Sequence, residues 1–80
     1  MATNNSPPLS ILRRKQVEAR TGLSRSGIYA RLRFNPDRPG DHDPTFPKPV
    51  NLGPRSVGWI EAEVDAWIAQ RVEHSRQITE

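Results

Sequence analysis

The sequence predicts a mainly helical domain with a small β-hairpin, and three observations carry that prediction. A charged run from Lys15 to Arg20 breaks at Thr21-Gly22 and resumes as SRSGIYARLR, the pattern of two short helices around a turn. Farther on, apolar and polar residues alternate on both sides of Gly53-Pro54-Arg55-Ser56. From Ile60, the residues Val64, Trp67, Ile68 and Val72 recur at i+4, i+7, i+8 and i+12, a helical period.

Met1 to Pro8 is polar and carries Pro7-Pro8, so it is expected to be a disordered lead-in to a domain over 9–73. Leu9, Ile11 and Leu12 predict a short extended arm that packs on that domain. A helix-turn-helix unit is expected over about 14–34. Its first helix has Val17 as its main apolar residue and ends where Gly22 is free to take the positive φ of a helix C-terminus. Leu23 is the apolar corner that turns inward. The Ser24 hydroxyl suits an N-cap, worth about 1 kcal/mol over Ala, so a second helix starts near Arg25. Ile28 and Leu32 share its inner face, and Arg25, Ser26, Tyr29 and Arg33 lie on or beside the wet one. Two helices joined by a short Gly-containing turn, the second basic at its start, form the helix-turn-helix plan; the blander reading is a helical hairpin with solvated arginines.

Residues 35–49 hold five prolines and no periodicity, which predicts a loop, with Phe46 as its anchor. Residues 50–59 predict the hairpin: Val50 and Leu52 alternate with Asn51, Val57 and Trp59 with Gly58, around a basic tip. The amphipathic helix is expected over 61–73, with Glu61, Glu63 and Asp65 early and Arg71 late, as the helix dipole favours. Trp59 and Trp67 read as core rather than as platforms for nucleobases. The tail, 74–80, is expected to fray.

Eighty residues make one small domain that buries only about 60–65% of its unfolded surface, which favours a simple function. There is no cysteine, so no disulfide framework or thiolate zinc site staples the fold. No apolar run approaches the roughly 20 residues of a membrane span, and MATNNSPPLS lacks the charged and apolar regions of a signal peptide. A soluble, cytoplasmic protein is therefore expected. The net charge of +3 hides an asymmetry: residues 1–40 hold eight Arg and Lys against Glu18 and Asp37, a balance of +6, while residues 41–80 stand at −3. A basic half without a broad apolar face implies a nucleic acid as partner, not a membrane.

Taken together, TGLSRSGIYARLR, FPKPVNLGPRSVGW and EAEVDAWI, in that order, resemble the AlpA family of phage and prophage transcriptional regulators, relatives of the excisionases and of MerR-type domains. The resemblance spans about Leu12 to Ile68. It implies a winged helix-turn-helix: the second helix in the major groove of double-stranded DNA, the hairpin as wing, the last helix closing the core. Family members regulate phage or integrase genes, or act as architectural factors in excision. Three departures stand out. The stretch from Asn35 to Thr45 is longer than the short basic turn of the family, and either moves the wing or adds a contact. Gly27 stands where such helices often have Thr, at a cost of about 1 kcal/mol against Ala. Ala62 stands where a Ser cap is usual.

On the helix-turn-helix reading, Arg25, Ser26 and Tyr29 face base edges. Arg25 is the first choice for direct readout, because a guanidinium pairs bidentately with guanine O6 and N7; the competing role is a phosphate contact. Tyr29 either bonds a phosphate or packs on the helix seam. Ser24 adds a phosphate bond to its cap, and Arg31 and Arg33 meet the backbone, as do Arg14 and Lys15 from the first helix. Arg55 is the wing contact, with Lys48 in support. No cofactor, metal or catalytic residue is expected, and His42 between Asp41 and Asp43 reads as a solvated turn rather than a metal or base site. So small a module needs further copies, as a homo-oligomer or cooperatively on DNA, or a partner such as an integrase or the transcription machinery. Two alternatives stay open: an excisionase acting at attachment sites, and a protein-interaction module that presents Pro44 and Pro47 as PxxP.

Overall fold

The N-terminal arm enters the sheet instead of merely lying on the domain. In the computed structural model, which describes residues 9–78, β1 (Ile11–Leu12) pairs antiparallel with β3 (Ser56–Ile60), Ile11 opposite Ile60 and Leu12 opposite Trp59. The strand β2 (Val50–Gly53) pairs antiparallel with the other edge of β3, so the sheet has three strands in the order β1-β3-β2. The small hairpin expected from the sequence is thus part of a larger sheet. The alternation in VNLGPRSVGWI reports only the local partner; a two-residue strand has no periodicity of its own to reveal it. The expected lead-in, Met1 to Pro8, lies outside the described residues.

Gly58 is what lets β1 approach. It is buried, and a Cβ at this position would run into Ile11 Cγ2 and come within 3.2 Å of both the Leu12 carbonyl oxygen and Leu52 Cδ1.

Among the described residues, the helices are α1 (Arg14–Thr21), α2 (Arg25–Leu32) and α3 (Glu61–Ile78), with a 3-10 turn, Pro39–Asp41, inside the proline-rich segment. Helix α3 follows β3 without a break. The backbone N–H of Glu61 donates to the Ser10 carbonyl at 2.8 Å, so the arm satisfies one of the orphan donors at the helix start where no serine cap stands. The helix also runs past the end expected at 73, through Ile78, so fraying from residue 74 is not what the structure has. Residues 61–78 contain neither Gly nor Pro and are rich in Ala, Glu, Gln and Arg, which lose little rotamer freedom on entering a helix.

The core is Leu12, Val17, Ile28, Phe46, Trp59, Val64 and Trp67, with Leu23, Leu32 and Ile68 packed against it. Every element except β2 and the 3-10 turn contributes, and the loop contributes Phe46, its expected anchor, which is 2% exposed. Burying that ring supplies about 1.5–3 kcal/mol. Its edge meets Trp67, centroids 4.9 Å apart. Both indoles are core, and both N–H groups are satisfied from the loop: Trp59 donates to the Pro47 carbonyl and Trp67 to Asp43, each at 3.1 Å. The proline-rich segment is therefore pinned to the sheet and to α3 at once. Leu52 and Val57 remain exposed, because burial in the hairpin is confined to Gly58 and Trp59.

Candidate nucleic-acid interface

The turn between α1 and α2 is built from local chemistry. Gly22 takes φ 75°, and its N–H closes α1 on the Glu18 carbonyl at 2.8 Å. The Thr21 hydroxyl donates to the Val17 carbonyl at 2.8 Å and accepts the Leu23 N–H at 3.2 Å, holding Leu23 toward the core. The Ser24 hydroxyl then accepts the Gly27 N–H at 3.1 Å, an N-cap that fixes where α2 begins.

A second set of bonds holds this unit on the rest of the fold. Arg20, in the last turn of α1, pairs with Glu61 and, at 2.6 Å, with Asp65, both in the first turns of α3. The hydrogen bonds to Glu61 and Asp65 raise the Arg20 pKa further above its already high ordinary value. Arg13, just before α1, takes its backbone N–H to the Gln16 side chain at 2.8 Å and reaches Ser56 Oγ with its guanidinium at 3.4 Å, tying the start of α1 to the tip end of the hairpin, one residue after Arg55. Neither arginine stands out in the sequence as structural. The acidic partners of Arg20 lie 41 and 45 positions away, beyond any local pattern.

On α2, Ile28 is fully buried and Leu32 half-buried, while Arg25, Ser26 and Arg33 are exposed and Tyr29 is half-buried. Ser26, Tyr29 and Arg33 border one shallow concavity, so these three expected site residues share a surface. Arg31 does not join them. It is half-buried, folds back to donate to the Gly27 carbonyl at 3.1 Å, and faces a different, polar concavity with His42, Asp43 and Arg71. The 3.6-residue period puts it on the far flank of the helix from Ser26.

The remaining expected residues are dispersed. Arg14 is half-buried and pairs with Glu18 at 2.9 Å, whereas Lys15 is exposed. Arg55 is exposed at the hairpin tip with φ 59°, the left-handed region, directly after Pro54; that order, proline then positive φ, is the one a type II turn uses. Lys48 lines the groove between the proline-rich segment and α3, which Glu63 and Glu73 also line, and is not at the tip.

The cluster around His42 is used structurally. The His42 ring stands edge-on to Phe34 at 6.0 Å, and the Asp43 carboxylate accepts the Thr45 N–H at 2.9 Å and the Thr45 hydroxyl at 2.6 Å in addition to the Trp67 indole. Burial by itself pushes the Asp43 carboxyl up, but the bonds from Thr45 and Trp67, with Arg71 nearby, outweigh it and hold the group below its ordinary 3.8. Among the described residues, no group of three or more His, Asp and Glu is placed to hold a metal ion, and no helix is long and apolar enough to cross a membrane. Pro47 is buried with its carbonyl engaged by Trp59, so Pro44 and Pro47 do not form a presented PxxP pair.

Comparison with known proteins adds three matches. The family model described as "Prophage CP4-57 regulatory protein (AlpA)" matches residues 10–72. The "DNA-binding transcriptional activator AlpA" of Escherichia coli (strain K12) is 50% identical over 68 residues, covering 85% of this chain and 93% of the relative. An "Uncharacterized protein ORF88" of Enterobacteria phage P4 is 41% identical over 61 residues, 76% of this chain and 59% of the relative. No solved structure gives a significant match.

Proposed function

This chain belongs to the prophage CP4-57 regulatory protein (AlpA) family, and from that premise we propose that it binds double-stranded DNA in a sequence-specific way as a transcriptional regulator. The observation that carries the reading is the surface of α2: a helix fixed at its start by Ser24 and Gly22, packed through Ile28, that leaves Arg25, Ser26 and Arg33 in solvent beside Tyr29. The E. coli relative carries the printed name of a DNA-binding transcriptional activator, which supports regulation ahead of an architectural role in excision.

In this reading the fold works as a winged helix-turn-helix. Helix α2 lies in the major groove, and Arg25 reads guanine through two parallel N–H bonds, worth about 1–3 kcal/mol of discrimination. Ser26 and Tyr29 meet neighbouring base edges or phosphates. Ser24, Lys15 and Arg33 position the helix through the backbone, and Arg14 joins them by exchanging Glu18 for a phosphate. Arg55 places the β2-β3 wing on the adjacent minor groove or its phosphates. Lys48 and Arg31 are the weaker members of this set, because the one lines a groove that also holds Glu63 and Glu73, away from the hairpin tip, and the Gly27 carbonyl engages the other. With about five to seven phosphate contacts, affinity falls with salt at a slope near −0.9 per contact.

Selection and sequencing from a randomised duplex pool at fixed moderate salt tests this, with wild type, Arg25→Ala and Arg55→Ala in parallel. A short motif that Arg25→Ala relaxes at one position supports it. No enrichment by the wild type, together with weak salt-sensitive binding unchanged in both variants, would leave only a basic domain without sequence recognition.

A further inference from the structure

We propose that the segment from Phe34 to Asp41 is a second DNA-reading element, which lengthens the contact surface of α2 through Phe34 and Arg38. The inference rests on the DNA-binding reading above and adds residues that reading does not use.

The first ground is continuity. The concavity bordered on the α2 side by Ser26, Tyr29 and Arg33 is bordered on its other side by Phe34, Arg38 and Asp41. A duplex seated against the outward face of α2 meets both walls. No further conformational change is required to bring the segment to the same ligand.

The second ground is that the segment is held in place, so that it meets a ligand without first having to be ordered. The Asn35 side chain accepts the Asp37 N–H at 2.9 Å, and the Asn35 carbonyl accepts the Arg38 N–H at 2.9 Å. The Asp41 N–H closes the 3-10 turn on the Arg38 carbonyl at 3.1 Å. At its far end the Asp43 N–H returns to the Arg31 carbonyl on α2 at 3.0 Å, so the segment begins and ends on the helix whose surface it extends. A contact made from such a loop costs little ordering entropy.

The third ground is the character of its side chains. Phe34 is 62% exposed, a large aromatic ring left in solvent directly after the α2 cap and edge-on to His42. An exposed aromatic between Arg33 and Arg38 suits a nucleic acid, which offers sugar edges, thymine methyl groups and base faces beside phosphates. Asp41, in the same wall, argues against a purely electrostatic clamp. A carboxylate there weakens binding to every duplex unless it accepts a hydrogen bond from a base amino group, so its presence favours readout over simple charge attraction.

The test uses the full chain and the duplex selected by the wild type, labelled with a fluorophore, and compares wild type, Phe34→Ala, Arg38→Gln, Asp41→Asn and Arg25→Ala. Because Phe34 and Arg38 are exposed, the variants are expected to keep the wild-type thermal midpoint, which circular dichroism checks. Phe34→Ala and Arg38→Gln are each expected to lose about tenfold in affinity, with Arg38→Gln also reducing the salt slope by about 0.9. Repeated selection with a Phe34→Ala, Arg38→Gln double variant is expected to return a motif shortened at one end while the position read by Arg25 is retained. Asp41→Asn is expected to tighten binding to unrelated duplexes. Wild-type affinity, salt slope and motif in the loop variants, alongside a motif relaxed by Arg25→Ala, would overturn the loop contact and leave the α2 reading standing. Absence of any selected motif with wild-type protein would overturn both.

Discussion

The Trp67 indole donates to the Asp43 carboxylate at 3.1 Å, so a residue of the proline-rich segment and a residue of α3 are joined by a bond that also fixes the orientation of a core side chain. Beneath that bond Phe46 closes on the same indole. The segment that follows α2 is consequently fastened to the sheet and to α3 through one short stretch, Asp43 to Pro47, in addition to its own bonds and its return to the Arg31 carbonyl.

Asp43→Asn is expected to lower stability at neutral pH by about 1 kcal/mol, since a charge-assisted acceptor becomes a neutral one. The carboxyl is held below its ordinary 3.8 in the folded state, so its stabilisation is fully present above that value and is lost as pH falls through the lower folded value. Thermal unfolding followed from pH 7 down to pH 2 checks both points. The variant curve is expected to be flatter than wild type below pH 4, and parallel curves would show that Asp43 makes no such contribution.

Arg55→Gly separates turn geometry from DNA contact. A non-glycine residue at φ 59° carries a steric cost that glycine does not, so the variant is expected to gain about 0.5–1 kcal/mol of stability. Duplex affinity should fall at the same time. Denaturant melts paired with binding isotherms measure the two effects; a loss of stability would mean that the arginine side chain supports the turn.

Gly58→Ala is expected to destabilise by about 1–3 kcal/mol, because the added methyl group meets Ile11 Cγ2 and the Leu12 carbonyl, and the latter is backbone that cannot rotate aside. Combining it with Ile11→Ala should recover part of the loss. A double-mutant cycle on thermal midpoints reads the coupling, and additive effects would show that the clash is relieved elsewhere.

Arg20→Gln removes the link from α1 to Glu61 and Asp65. The thermal midpoint is expected to drop, and to drop less at high salt, since the pairs are partly exposed and ions screen them. DNA affinity should fall with an unchanged salt slope if Arg20 positions α1 without touching phosphate. A slope reduced by about one unit would instead make it a contact.

The sequence was most readable where a residue acts on its own neighbours. Gly22 and Ser24 declare the turn through backbone freedom and capping, and Val64, Trp67 and Ile68 declare α3 through periodicity. Phe46 was recognisable as an anchor because it is the one large apolar side chain among prolines. What escaped reading was pairing at a distance: the arm strand on β3, the Ser10 carbonyl at the head of α3, Arg20 with its two acids, and Asp43 under Trp67. The same limit applies to the candidate interface. Spacing sorted Ser26, Tyr29 and Arg33 onto one side of α2, but it did not separate Arg31, whose guanidinium turns back to a carbonyl of its own helix. Nor did it show that Lys48 lines a groove against α3 and not the hairpin tip.

The pairing of β1 with β3 has a consequence for how the protein is made. Ser10, Ile11 and Leu12 are synthesised well before their partners Trp59, Ile60 and Glu61. Until then α1 and α2 have neither the sheet nor Trp59 and Trp67 to pack against, and Arg20 has no acid across from it. A nascent chain stalled before residue 59 is therefore an open, net-positive polypeptide beside ribosomal RNA, and closure of the domain waits on one long-range encounter.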